Sequence, residues 1–338
     1  MKAIRKQMGV LAAGFCAFLL YAGIVYGGEQ QVKKFRLLHD GLSAATAVVW
    51  VGVDAGFFKQ NGLELNEVFL QDPSKGGVQA LLGVDLFLGW GNPLVPLYTM
   101  LEGGDLVFLG SHTSREEYRF GLSSEVKSIV GLKGRKIGMS GLGGRSDLIA
   151  RVVLRRAGIN PVSEVEMVSV GFSPARAAAL SQNLIQGAPL SPQVASEAER
   201  LGVKVIEVSE VPVVTALLIT TRSIVKKDED VFKRFMKAYV EATHYFLTHR
   251  EESLRIMEKR VSAPTSEVLE SMYGSLAAQM APWPAPNAEA VQAIIDAAAA
   301  VEKGAGKLKP ENLFDLKFLQ ELKDSGFIDG LYTKKVKL

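Results

Sequence analysis

A glycine-rich turn between a short apolar run and a helical pattern is the stretch of this sequence best suited to hold a ligand. Gly141, Gly143 and Gly144 are followed directly by Arg145 and Ser146. Glycine permits backbone angles that other residues avoid, and a helix start presents amide groups to an anion or a carbonyl. The guanidinium of Arg145 adds donors for a carboxylate or sulfonate. The turn therefore predicts a binding lip for a small ligand, and a solvated arginine on a capped turn is the alternative.

The glycine turn does not match the nucleotide-binding loops. No Lys-Ser or Lys-Thr pair follows the glycines, as a Walker loop requires, and Ser146 stands where G-x-G-x-x-G has its last glycine. GFSPAR, residues 171–176, lacks the second glycine of a nucleophile elbow. The histidines at positions 39, 112, 244 and 249 show no metal-ligand spacing. We expect no metal, no cofactor and no catalytic residues.

Residues 1–27 have the pattern of a secretory signal peptide. Basic residues precede an apolar run from 8 to 26, and small residues close that run. We expect cleavage after Gly27 or Gly28 and a periplasmic location, with an uncleaved membrane anchor as the alternative. Phe15 precedes the single cysteine, Cys16, where a lipoprotein signal needs a small residue.

Charge and cysteine usage exclude further classes of protein. Because Cys16 lies in the signal segment, the mature chain has no disulfide, no thiolate nucleophile and no cysteine-ligated metal. The chain has 39 Lys and Arg against 36 Asp and Glu, and removal of the basic signal residues leaves a mature chain near neutrality. Nucleic-acid binders carry a basic excess or patch, so we expect no nucleic-acid partner.

Short apolar strands alternate with helical patterns along most of the chain. The pattern predicts strands over 33–40, 63–70 and 105–112, and it restarts with KIGM, 136–139, before the glycine turn. It also predicts three helices and a turn: a helix over 78–83, a helix that follows the glycine turn and ends at Gly158, a helix over 173–187 and a turn over 188–193. Such alternation predicts an α/β fold with a mostly parallel sheet. Strand-to-helix turns of such a sheet share one edge, and ligands bind at that edge.

The last third of the sequence has a different character. Residues 213–222 form a long apolar strand that is able to cross back to the first part of the sheet. From Lys226 onward the apolar positions recur at helical spacing. We expect these helices to pack on the outside of the first lobe.

Five stretches of the sequence, taken in order, form a recognisable set of motifs. They are VWVGVDAGFFKQNGLEL, VQALLGVDLFLGWGNPLV with GGDLVFLGS, SIVGLKGRKIGMSGLGGRSD, AALSQNLIQGAPLSP and FLQELKDSGFIDGLY. Together these motifs resemble the solute-binding proteins of ABC importers, within the nitrate/sulfonate/taurine and thiamine-precursor family. Gly131 stands where that family usually has an aspartate.

The resemblance implies a two-lobed, periplasmic-binding-protein-like fold of type II, with a helical C-terminal segment. We expect lobe one at 33–115 plus 220–338 and lobe two at 116–219, joined by two crossover segments. Such lobes close on a ligand by hinge motion. The resemblance also implies a permease and an ATPase as partners, and a monomeric chain.

In such a fold the glycine turn becomes a lip of the cleft from lobe two. Trp90 either stacks on a flat ligand or fills the lobe surface, and His112 suits a neutral hydrogen-bonding role better than catalysis. The candidate ligand-binding residues are Gly143, Gly144, Arg145, Ser146 and Ser191 from lobe two, and Leu42, Ser43, Ala44, Trp90, Gly91, Asn92, Ser111 and His112 from lobe one.

The sequence leaves the ligand and the exact role open. A sulfonate, nitrate, carboxylate or pyrimidine-like ligand fits the candidate residues. The same fold is found in some cofactor-free enzymes of the menaquinone pathway, which are cytoplasmic and therefore at odds with the signal peptide. A periplasmic sensor subunit is the other alternative to import.

Overall fold

An eight-stranded sheet organises the described part of the molecule. The computed structural model describes residues 32–39, 44–69, 84–89, 93–261 and 265–333. The strand order across the sheet is β2-β1-β3-β8-β4-β7-β5-β6. The strands are β1 (Lys33–His39), β2 (Leu63–Phe69), β3 (Leu86–Gly89), β4 (Leu106–Leu122), β5 (Lys136–Met139), β6 (Glu166–Ser169), β7 (Gly187–Leu190) and β8 (Lys204–Thr221).

Helices cover both faces of the sheet and make up the C-terminal third. Short 3-10 helices lie at Ile129–Leu132 and Lys303–Lys307. The α-helices are α1 (Ala44–Asp54), α2 (Phe57–Gln60), α3 (Leu94–Leu101), α4 (Arg145–Arg156), α5 (Ser173–Ser181), α6 (Pro192–Arg200), α7 (Arg222–Lys227), α8 (Glu229–Thr248), α9 (Arg250–Glu258), α10 (Ser266–Ala277), α11 (Ala288–Ala299), α12 (Pro310–Leu313), α13 (Lys317–Asp324) and α14 (Phe327–Thr333).

Two long strands connect two parallel parts of the sheet. β1 pairs in parallel with β2 and β3, and β5 pairs in parallel with β6 and β7. Between these parts, β4 and β8 pair antiparallel from Leu106↔Thr221 to Leu122↔Lys204. Lobe one therefore carries β1–β3, lobe two carries β5–β7, and both lobe boundaries expected from the sequence fall inside the connecting strands.

The connecting strands are longer than the sequence predicts. The strand expected to end at His112 continues to Leu122, and the apolar run 213–222 joins the preceding strand into one β8. Irregularities in register between Phe108 and Gly110, His112 and Thr113, and Glu116 and Tyr118 lie along this pair. A β-bulge absorbs an extra residue without ending the ladder, so each strand continues through a charged or proline-containing stretch.

Two further boundaries differ from the prediction. Residues 188–190, predicted from the sequence as the start of a turn, belong with Gly187 to strand β7, whose four residues are all buried between β4 and β5. The helix expected to run to Gly187 ends at Ser181, because Asn183 takes a left-handed φ of 56°. The helix predicted over 78–83 lies outside the described residues.

The two largest apolar clusters of the described residues lie on opposite faces of the sheet. One holds Leu97 of α3, Leu148 of α4 and Ile294 of α11 in a single cluster with strand residues. The other holds Phe235 of α8 and Leu319 of α13. Each fully buried large apolar side chain contributes about 1.5–3 kcal/mol. Helices α8 and α13 therefore pack on the part of the sheet that carries β1–β3, whereas α11 packs on both α3 and α4.

None of the helices in the described part of the chain combines the length and the apolar character needed to cross a membrane.

Candidate ligand-binding site

The glycine lip, residues 140–146, connects the end of β5 to the start of α4 at the carboxyl edge of the lobe-two sheet. Gly143 has a φ of +71°, a left-handed conformation that glycine adopts without steric cost. A Cβ on Gly144 would lie 2.8 Å from Ser140 Oγ and 3.0 Å from the carbonyl oxygen of Gly141. These two positions therefore require glycine for the turn to close.

Hydrogen bonds within the lip fix its shape. The Ser140 amide donates to Ser146 Oγ at 2.7 Å, and the Ser146 hydroxyl donates to Ser140 Oγ at 2.9 Å. The Gly143 amide donates to Asp147 Oδ2 at 2.8 Å. Ser146, a candidate ligand residue, thus braces the turn with a buried side chain.

A buried ion pair supports the lip from behind. Asp147 and Arg151 both have side chains with 0% exposure, and Arg151 Nε donates to Asp147 Oδ1 at 2.8 Å. Burial raises the pKa of Asp147, while Arg151 and the Gly143 amide act in the opposite direction. The two charges offset one another, so the pair adds little net charge at the lip.

A cavity of about 450 Å³ lies between the glycine lip and strand β8. Of the described residues that line it, Arg145 alone carries a charge. Most of the wall is apolar. The lining residues are Pro93, Ser140, Gly141, Leu142, Gly143, Gly144, Arg145, Leu148, Val213, Val214, Thr215, Ala216 and Leu217.

The structure brings three of the candidate residues together at this cavity. Gly143, Gly144 and Arg145 line it, whereas Ser191 lies at the start of α6, where its amide donates to Ser173 Oγ at 3.0 Å. Ala44 opens α1. The candidates Leu42, Ser43, Trp90, Gly91 and Asn92 lie outside the described residues. Pro93, which directly follows Asn92, is part of the lining.

His112 and Ser111 are core residues of β4. Both have an exposed fraction of 1%, and neither is among the lining residues. His112 Nε2 lies 2.6 Å from the Tyr239 hydroxyl of α8. Burial lowers the pKa of His112 to about 4, so the imidazole is neutral near pH 7. Its contact is a hydrogen bond between the sheet and α8.

The β8 wall, residues 213–217, is the part of the site that sequence reasoning missed. The sequence showed only a long apolar strand that returns to lobe one. A strand that passes from one lobe to the other has to run along the floor of the cleft, and this is the signal that was available. Leu148, one turn into α4, was missed because its spacing fits an ordinary core position.

No group of three or more His, Cys, Asp or Glu side chains within the described ranges is arranged to hold a metal ion. The described lining residues offer hydrogen bonding, the positive charge of Arg145 and apolar contact.

Comparison with known proteins agrees with the geometry of the fold. A sheet with two lobes, two crossover strands and a cavity at their junction defines a periplasmic-binding-protein-like fold of type II. Residues 44–253, more than half of the 338-residue chain, match the family described as NMT1/THI5 like. The chain belongs to this NMT1/THI5-like family. No curated protein matches the sequence.

Several solved structures share the fold at low sequence identity. A protein from Methylobacillus flagellatus, assigned as the periplasmic sulfonate-binding component SsuA, is 18% identical with a TM-score of 0.55, covering 88% of this chain and 97% of that one. The periplasmic aliphatic sulphonate-binding protein SsuA of Escherichia coli is 18% identical with a TM-score of 0.51, covering 84% and 91%. The desulfurization enzyme DSZB is 14% identical with a TM-score of 0.46, covering 86% and 99%.

Proposed function

We propose that this protein is the extracytoplasmic solute-binding component of an ABC importer, and that it captures a small organic anion in the cavity between the glycine lip and β8. The observation that carries this proposal is the position of that cavity. It lies where the lip of lobe two faces a strand shared by both lobes, so closure of the lobes would enclose it. Membership of the family and the named roles of the two SsuA proteins support the proposal.

The lip suits the charged end of such a ligand. The first amides of α4 have no acceptor within the helix, and the helix dipole favours an anion there. Arg145 stands at the same helix start and lines the cavity. A carboxylate or sulfonate is able to accept from the guanidinium and from backbone amides together.

The walls suit an apolar body attached to that charge. Leu142, Leu148 and Val213 line the cavity together with Leu217. Its volume of about 450 Å³ falls in the range of roughly 300–1,000 Å³ typical of small-molecule sites. Nitrate would leave most of this space unfilled. We therefore favour an organic sulfonate or carboxylate over nitrate, with a pyrimidine-like ligand next.

Hinge closure would occur about the two connecting strands. We propose lobe one at 33–115 plus 220–338 and lobe two at 116–219, which places the hinge within β4 and β8. The proposal extends to removal of residues 1–27 on export, a periplasmic location, a monomeric chain and delivery to a membrane permease driven by an ATPase.

A thermal-shift screen tests this function. The protein from residue 28 onward would be unfolded and refolded to remove any carried ligand, then mixed with alkanesulfonates, carboxylates, nitrate, bicarbonate, pyrimidines and polyamines. A ligand at 100 times its dissociation constant adds about 2.7 kcal/mol of stability. We expect organic anions to stabilise the protein, and stabilisation only by cations or by no compound would contradict the proposal.

The same samples separate binding from catalysis. Each stabilising compound would be recovered after prolonged incubation and examined by mass spectrometry. We expect it unchanged. Conversion of the compound to a product would show that the protein is an enzyme. The sensor role has a different test: the absence of permease and ATPase genes beside the gene for this protein would favour it.

A further inference from the structure

Helix α11 is bonded to lobe two, although it comes from the C-terminal segment assigned to lobe one. Asp296 is almost fully buried and forms a bidentate ion pair with Arg155 of α4. Glu289 pairs with Arg156 in the same way, at 2.7 and 3.1 Å. These charge-assisted bonds are directional, so they fix the position of α11 on α4.

The glycine lip belongs to the same bonded unit. Arg151, which pairs with Asp147 behind the lip, also donates through Nη1 to the carbonyl oxygen of Asp296 at 3.2 Å. The lip, α4 and α11 are thus connected by buried hydrogen bonds that leave little freedom between them.

Both ends of the segment around α11 are attached to β4. Before the helix, the carbonyl oxygen of Pro284 accepts from the Ser111 amide at 3.0 Å. After it, the Asp315 amide donates to the carbonyl oxygen of Phe108 at 2.9 Å. The segment 284–315 therefore leaves β4 in the lobe-one half, crosses to α4 and returns to β4.

The contact of α11 itself with helix α3 of lobe one is of a different kind. It packs on α3, whose sequence LVPLYTML has no charged residue, and Leu94, Leu97 and Ile294 share one apolar cluster. Apolar contact is non-directional, so it tolerates small shifts that an ion pair does not. When the lobes move, the weaker constraint lies between α11 and α3.

We propose that α11 moves with lobe two, as a strap pinned to β4 at both ends, and that its ion pairs with α4 limit how far the lobes open. The strap rests on the hinge motion of the proposed function, but its test needs no ligand. Failure of the ligand screen and failure of the strap are therefore observed separately.

Distances between spin labels test which lobe carries α11. The protein from residue 28 onward includes every described residue and has no cysteine. Pairs of cysteines for labelling would therefore be introduced at three exposed positions: Lys59 of α2, Glu197 of α6 and Ala300 after α11. We expect a narrow distance distribution for Ala300 with Glu197, and broad distributions for Lys59 with either partner. A narrow Ala300–Lys59 distribution with a broad Ala300–Glu197 distribution would overturn the strap. Narrow distributions for all three pairs of labels would also overturn the strap, because the two lobes would then not move relative to each other.

A charge swap tests whether the ion pairs limit opening. We expect Arg156→Glu to broaden the Lys59–Glu197 distribution and shift it to longer distances, and Arg156→Glu with Glu289→Arg to restore it. Lys133→Glu is the matched control, since Lys133 pairs with Glu164 at 2.9 Å elsewhere in lobe two. An unchanged distribution in Arg156→Glu, or an equal change in the control, would refute the limit on opening.

Discussion

Arg151 and Asp147 form an ion pair with no exposed side-chain surface, at the start of the helix that follows the glycine lip. Asp147 accepts from the Gly143 amide on one side, and Arg151 donates to the carbonyl oxygens of Pro161 and Asp296 on the other. The shape of the lip therefore depends on two buried side chains, Asp147 and Arg151, that are not among the residues lining the cavity. This arrangement explains why a turn with three glycines has a defined conformation.

Asp147→Asn will destabilise the fold strongly, because it leaves the Arg151 guanidinium buried without a countercharge. We expect a loss of about 3–5 kcal/mol in the free energy of unfolding, measured by urea denaturation. Adding Arg151→Met will recover much of it, since no buried charge then remains.

The control for that pair is Lys133→Met, which breaks an exposed pair with Glu164 and should cost less than about 1 kcal/mol. An Asp147→Asn variant that is no less stable than this control would contradict a structural role for the buried pair.

Arg145→Ala will weaken binding of the organic anion identified in the screen. Loss of a charged hydrogen bond costs about 1.5–3 kcal/mol, which is roughly tenfold or more in the dissociation constant by calorimetry. Arg135→Ala is the matched control, because Arg135 precedes the same strand, β5, at the edge away from the lip. Equal affinities of the Arg145→Ala and Arg135→Ala variants for the anion would mean that Arg145 does not contact the ligand.

Val214→Trp will block the cavity from the β8 wall. Val214 lines the cavity and is only partly buried, so the larger side chain has room to extend into it without opening the core. We expect loss of ligand-induced thermal stabilisation with little change in the ligand-free melting temperature. Val130→Trp adds the same group at an exposed position and should bind as the parent does. Retained binding in Val214→Trp would place the ligand elsewhere.

His112 will make the protein less stable in mild acid. Its pKa is lowered to about 4 in the folded state by burial, against about 6.5 when unfolded. The stability it contributes is complete above the unfolded pKa and is lost as the pH falls toward the folded pKa. Between neutrality and about pH 4.5 this amounts to roughly 2–3 kcal/mol.

The measurement is the free energy of unfolding in urea at both pH values, for the parent and for His112→Gln. The variant should lose less stability on acidification than the parent by that amount. The same loss in both proteins would mean that His112 is not held neutral by burial.

Local patterns predicted the fold, and they singled out residues that line one wall of the cavity. The lip residues Gly143, Gly144 and Arg145 were predicted from glycine spacing and a helix start, which are properties of neighbouring residues. The end of α4 was predicted in the same way from Gly158, which has a φ of +74°. Such features need no knowledge of distant contacts.

Long-range partners account for what the sequence did not predict. The charged stretch after His112 continues as a strand because β8 supplies its hydrogen-bond partners. The bonds between Arg155 and Asp296 connect residues 141 positions apart, and neither spacing nor composition indicates such a pair. The β8 wall was missed for the same reason, since only the crossing of the lobes makes an apolar strand into a cavity wall.

Calorimetric titration of the refolded protein with the best organic anion of the screen tests the central claim most directly. We predict saturable binding at one site per chain, with a negative heat-capacity change from burial of the apolar body, and loss of that binding in Val214→Trp. A protein that binds none of the organic anions, or that binds one equally well after Val214→Trp, would contradict a solute-binding cleft at the glycine lip.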